Sequence, residues 1–152
     1  MKIGDYLKEE RILLELKAAS KEEAIKELAQ LLHGAAEVLN HEQFVKDIFS
    51  REALSSTGIG DHVAVPHTRT DAVKEFVIAF GRSSQGLDFK SIDGKPAKFI
   101  FLLGTLRKKG LNSYLKTLAH LTRLLQKEAF QKALLQASHP REIIEAFKKI
   151  EQ

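Results

Sequence analysis

His67 stands directly after a proline and a short apolar run, Val63-Ala64-Val65. Imidazole is nucleophilic and partly neutral near physiological pH, its free pKa being about 6.5. Ahead of the run lie Ser55, Ser56, Thr57, Gly58 and Gly60. Hydroxyls and glycine-rich backbone of this kind can offer N–H groups to an anion. Arg51 precedes the loop, and a guanidinium pairs bidentately with phosphate oxygens. A strand that ends in a rigid Pro-His corner would hold a ring nitrogen at a sheet end, beside that loop. The combination suits a histidine that accepts and donates a phosphoryl group. Such transfer needs little beyond positioning and charge stabilisation. One ring nitrogen must present a lone pair, so the other should donate to an oxygen. Plainer roles exist for the same residues: Arg51 as a helix-terminal cation facing the dipole, and the glycines as turn residues at positive φ.

The elements that must position this segment are legible from periodicity. After a turn around Ile3 to Leu7, Arg11 to Leu16 is short, apolar and bounded by charge, which predicts a strand. Ser20 with Glu23 forms a capping box for a helix whose apolar face runs Ile25, Leu28, Ala29, Leu32, Ala36 and Leu39. Asn40 breaks that run and caps a second helix with Phe44, Val45, Ile48 and Phe49 inward and Arg51-Glu52 near its end. His62 to Val65, Phe76 to Phe80 and Phe99 to Leu103 read as three strands rich in β-formers, with Asp93-Gly94 as a turn before the last. Three helices follow. The first covers Ser113 to Gln126, with Leu115, Leu118, Leu121, Thr122 and Leu125 toward the core. The second covers Glu128 to Gln136, and the third starts near Pro140 and buries Ile143, Ile144, Phe147 and Ile150. The order β-α-α-β-β-β-α-α-α predicts a mixed sheet with helices on both faces, an α/β (α+β) fold in a single domain over residues 1–152.

The segment Arg51 to His67, REALSSTGIGDHVAVPH, resembles the signature of the type-2 enzyme IIA domains of the bacterial phosphotransferase system. That class covers fructose, mannitol and nitrogen-regulatory proteins. Its pattern is met by Glu52, by Ile59-Gly60 and by Val63-Ala64-Val65-Pro66-His67. The next position usually holds Gly, Ala or Cys and is Thr68 here, still a compact residue. The element order is also that of the class. The resemblance implies that His67 takes a phosphoryl group from an HPr-like phosphohistidine carrier, then passes it to an enzyme IIB or holds it as a signal to a regulatory target protein. It also implies a phosphate pocket drawn from Arg51, Thr57 and Gly58. The class usually places a second histidine in a His-Leu-x-x-Leu frame after the last strand, and here that slot is Tyr114, in Tyr114-Leu115-Lys116-Thr117-Leu118. A phenol can donate to phosphate but cannot be an imidazolium. His120 is no simple replacement. Six residues along a helix turn the side chain through ~600°, leaving the two ~120° apart.

Composition excludes other chemistries. The chain is 43% hydrophobic and 29% charged, as soluble globular proteins are. It has no cysteine, so neither a disulfide framework nor a thiolate site is open to it. No signal-type apolar region or membrane-length run occurs, so a cytoplasmic protein without membrane insertion is expected. The net charge of +4 mixes 24 basic with 20 acidic residues, a poor footprint for nucleic acid. Arg107-Lys108-Lys109 reads as a solvated loop. The six histidines fit no standard zinc spacing, so no metal and no cofactor is expected. His33, His41, His62 and His139 read as cap, turn or surface residues. The expected protein is a phosphotransferase with a phosphohistidine at His67, nitrogen-regulatory-like because no membrane or enzyme IIB segment is attached. The alternatives are a fructose- or mannitol-type component feeding a separate enzyme IIB, and a non-catalytic binding regulator of the same fold.

Overall fold

A two-residue alternation along three strands divides the interior into two layers, in a computed structural model that describes residues 1–152. Phe99, Phe101 and Leu103 join Ile78, Phe80, Val63 and Val65 in one buried cluster. Their intervening neighbours Ile100, Leu102, Val77, Ala79 and Ala64 join the other. Successive strand side chains point to opposite faces, so strands this apolar must be covered on both. The strands are β1 (Ile12–Leu13), β2 (Gly58–Gly60), β3 (Val63–Ala64), β4 (His67–Thr70), β5 (Val77–Leu87) and β6 (Ala97–Leu106). The helices are α1 (Lys21–Leu31), α2 (His41–Leu54), α3 (Leu111–Leu125), α4 (Glu128–Gln136) and α5 (Pro140–Ile150). The first cluster is closed by α3, α4 and α5 through Leu121, Leu125, Phe130, Leu134, Ile143 and Phe147. Ile25, Leu28, Phe44 and Ile48 of α1 and α2 close the second. The expected mixed sheet with helices on both faces is therefore the observed architecture.

The sheet runs β1-β5-β6-β3-β2, with β4 also paired to β6. Its pairs are parallel for β1 with β5, for β3 with β6 and for β4 with β6. The β5/β6 and β2/β3 pairs are antiparallel. Val63 lies opposite Phe99 and His67 opposite Leu103, so β3 and β4 keep one register along β6. Val65 and Pro66 interrupt the strand without shifting it. Proline has no N–H to give to a ladder, yet its carbonyl still accepts from Leu103 N at 3.0 Å.

Several expectations need correction. The order is β-α-α-β-β-β-β-β-α-α-α: the sheet has six strands, not four. Gly58–Gly60 is strand β2 rather than the end of a loop, and β4 was missed because its polar residues His67–Thr70 carry no apolar signal. Helix α1 stops at Leu31, three residues before Gly34 at φ +83°. Ala36 is consequently exposed and Leu39 is 64% exposed. A glycine at positive φ is a common way out of a helix. On α3, Leu115 is 50% exposed, and Thr117 and Leu124 take the buried places. Capping follows the sequence: Ser20 accepts from Glu23 N, Asn40 from Gln43 N and His139 from Arg141 N.

Helix α2 is brought against β4 by two features. A Cβ on Gly104 would lie 2.6 Å from Phe44, so only glycine lets that ring sit on the sheet. Gly104 faces Thr68 in register, and the Thr70 hydroxyl donates to Asp47 of α2 at 2.5 Å. The C-terminal turn of α2, carrying Arg51, is thereby held near the strand that carries His67.

Candidate functional site

Pro66 leaves Val65 outside the ladder on its carbonyl side. Its N–H bonds Thr57 O at 3.0 Å, while its carbonyl is taken by the His67 ring, with Nδ1 at 2.5 Å. A carbonyl only accepts, so Nδ1 carries the proton and Nε2 presents the lone pair. Nε2 bonds to no protein group. The residue is buried, at 8% exposure. Burial holds its pKa below the usual 6.5; the Val65 carbonyl opposes this, the Arg51 charge adds to it and the Glu52 charge opposes it. The ring is therefore neutral at physiological pH with a defined nucleophilic nitrogen.

Glu52 organises the segment before β2. Its carboxylate accepts from Thr57 N at 2.9 Å, from Thr57 Oγ1 at 2.7 Å and from Lys21 Nζ at 2.8 Å. Gly58 N donates to Ser56 Oγ at 2.9 Å, and the Ser56 hydroxyl donates to Phe89 O. Thr57 and Gly58 were expected in a phosphate pocket. Both are buried, and the Thr57 donors and the Gly58 N–H already have partners. The hydroxyls and amides of this loop bind it to itself and to Glu52. Arg51 sits in the last turn of α2, where Nη1 donates to Ser55 O at 3.0 Å. It thus serves the helix end, and its charge also reaches His67 and Tyr114.

Tyr114, in the first turn of α3, comes to His67: the ring centroids are 5.4 Å apart, tilted by 58°. Burial raises its pKa above the usual 10.0, against the charges of Arg51 and Arg69, so the phenol keeps its proton. Arg69 was not singled out from the sequence. It lies two residues beyond His67 in β4 and so on the same face; strand parity was the signal available. His120 is elsewhere, its Nε2 2.7 Å from Glu151, whose carboxylate also accepts from Ile3 N and Gly4 N. His62 bonds Pro96 O and His41 bonds Ala29 O. No three His, Asp or Glu side chains gather where an ion could be held. Arg107–Lys109 is an exposed 3-10 turn.

The profile of a family described as "Phosphoenolpyruvate-dependent sugar phosphotransferase system, EIIA 2" matches residues 5–150. The chain belongs to this EIIA family. Members act as intermediates in phosphoryl transfer. Over 128 residues this EIIA is 37% identical to a fructose-specific EIIA component of Haloferax volcanii, covering 84% of the chain and 82% of that protein. It is 35% identical to a nitrogen regulatory protein of Bradyrhizobium diazoefficiens, covering 88% of the chain and 86% of the relative. A fructose-specific EIIABC component of Bacillus subtilis is 37% identical over 145 residues, 95% of the chain, but the match spans only 23% of that longer protein. Among solved structures, the nitrogen regulatory protein IIA-Ntr of Neisseria meningitidis superposes with a TM-score of 0.86 at 30% identity, over 95% of this EIIA and 98% of that chain. A mannitol IIA of Escherichia coli, solved in complex with phosphorylated enzyme IIB, gives 0.79 at 26% identity, over 94% and 97% of the two chains.

Proposed function

We propose that this EIIA is a phosphocarrier that takes a phosphoryl group onto Nε2 of His67 from an HPr-like phosphohistidine protein. The supporting observation is the ring itself, with Nδ1–H tied to the Val65 carbonyl and Nε2 unpartnered beside Tyr114. In the step, the Nε2 lone pair bonds to phosphorus as the donor's P–N bond breaks. The electrons of that bond return to the donor nitrogen. The His67 ring becomes an N-phosphoimidazolium, its Nδ1 proton still on the Val65 carbonyl. Positioning and charge then carry most of the catalysis. The group is next passed to an enzyme IIB or kept as a signal for a regulatory target. Full-length similarity to the Neisseria nitrogen regulatory protein supports the regulatory role. A second reading, a fructose-type component feeding an enzyme IIB, has support in the Haloferax relative. Incubation with phosphoenolpyruvate, enzyme I and its HPr-like carrier tests the proposal. An acid-labile, alkali-stable label should appear, and an unlabelled protein would leave only a binding regulator.

Arg51→Ala should slow this labelling at least about tenfold, the value of a lost charge-assisted contact of roughly 1.5–3 kcal/mol. Its melting temperature should barely move, because the side chain bonds only Ser55. A variant that melts early but labels normally once folded would make Arg51 purely structural.

Tyr114→Phe should lose one neutral hydrogen bond, about 0.5–1.5 kcal/mol, and so at most about tenfold in rate. The pH dependence should be the same in both proteins. Transfer needs neutral Nε2, and burial lowers the His67 pKa, so the single-turnover rate should stay level down through 6.5 and fall only below it. An acid limb centred above 6.5, or outright loss of labelling in Tyr114→Phe, would contradict this account of the site.

A further inference from the structure

We propose that Arg69 is a second guanidinium of the site, closing on the transferred phosphoryl group together with Arg51. The inference rests on the reading of His67 as acceptor and goes beyond it in naming what neutralises the group. The chain has seven arginines. Six have protein partners: Arg11 pairs with Glu37, Arg51 with Ser55, and Arg82 with the carbonyls of Leu14, Leu134 and Ala137. Arg107 pairs with Asp71, Arg123 with His120 and Arg141 with Glu145. The Arg69 guanidinium has neither a hydrogen bond nor an ion pair, although the residue is half-buried. Desolvating a charge without a partner is costly, so such a group is poised for an anion.

Its position says which anion. His67 and Arg69 alternate with Thr68 along β4, and their register partners on β6 are Leu103 and Thr105. Leu103 belongs to the cluster under α3, so this parity directs both His67 and Arg69 to the face that α3 covers. Tyr114 of α3 lies against the His67 ring and feels the charges of Arg51 and Arg69 together. Arg69 therefore lies on the same side of β4 as the acceptor, whose ring centroid is 5.4 Å from that of Tyr114. A phosphoryl group brings about −1.5 to −2 charges. Arg51 supplies one positive charge and the phenol none, while the carboxylate of Glu52 is balanced by Lys21 at 2.8 Å. While the group is arriving, before the ring has taken up its imidazolium charge, Arg69 would supply the second positive charge of the site. With it, two forks face three phosphoryl oxygens.

Phosphoramidate, a small phosphoryl donor, separates neutralisation of the group from docking of a protein carrier. Arg69→Ala should label from phosphoramidate at least about tenfold more slowly than the native chain. Arg69→Lys should recover part of the rate, since it restores the charge but not the fork. A readout independent of transfer is the titration of Tyr114, followed by tyrosinate absorbance in a Tyr6→Phe background. Removing the Arg69 charge should move that titration to higher pH. An unchanged titration would overturn the placement of Arg69. A native labelling rate from phosphoramidate in Arg69→Ala would overturn its role, even if transfer from the protein carrier were slowed. A native chain left unlabelled at His67 by both donors would overturn the acceptor reading, and this inference with it.

Discussion

His67→Ala should take no phosphoryl group at all from the phosphoenolpyruvate-driven carrier chain. The expected loss is complete because no other nitrogen nearby can replace Nε2. His120 is bonded to Glu151 and Arg123, and Tyr114 offers a neutral phenol whose pKa is raised by burial. Alanine would also leave the Val65 carbonyl without its donor, at a cost of about 1–3 kcal/mol for a buried acceptor. His67→Gln separates the two effects, since its amide can donate to that carbonyl but has no nucleophilic lone pair on nitrogen. Both variants should be unlabelled, and Gln should melt nearer the native protein than Ala. Labelling of either folded variant, measured by intact mass after alkaline quench, would move the acceptor to another residue.

The largest stability effect should come from Glu52→Ala. The carboxylate is only 4% exposed and joins α2 to Lys21 at the start of α1 and to both donors of Thr57. Removing one partner of a buried pair costs about 3–5 kcal/mol, and the partial exposure of Lys21 places this case near ~3. For a protein of this size that is a fall in melting temperature of roughly 6–12 °C. Glu52→Gln keeps an acceptor for Thr57 but not the charge facing Lys21, so its loss should be smaller. Thermal unfolding followed by circular dichroism decides the matter: a midpoint for Glu52→Ala within about 2 °C of native would show that the network adds little.

Strand and helix identity was readable where apolar period and burial coincide. The FVIAF segment enters β5 at its second residue, Val77, FIFLL falls within β6, and the Asn40 cap sits where α2 begins. Strand β4 was not readable by that rule. Its ladder is made by the backbone of His67–Thr70, and its side chains are polar, so no apolar alternation marks it. Position 67 itself stood out through Pro66 and the apolar run before it. Arg69 lay hidden in the same strand, where only counting by twos from Val63 would have placed it beside His67. For Thr57 and Gly58 the limit has a different origin. Composition shows that a segment holds hydroxyls and amides, not which of them are already engaged by Glu52 and Ser56.

The acceptor that orients the His67 ring is a main-chain carbonyl, that of Val65. This bears on how such a protein can drift. A side-chain partner is one codon change from being lost, whereas every residue that replaces Val65 brings the same oxygen. Mutation can repack the neighbourhood of the ring, or move the strand that presents the oxygen, but it cannot delete the group that fixes the tautomer. Variation can therefore accumulate around His67, as Thr68 and Tyr114 illustrate, while the choice of reacting nitrogen stays hereditary in the backbone.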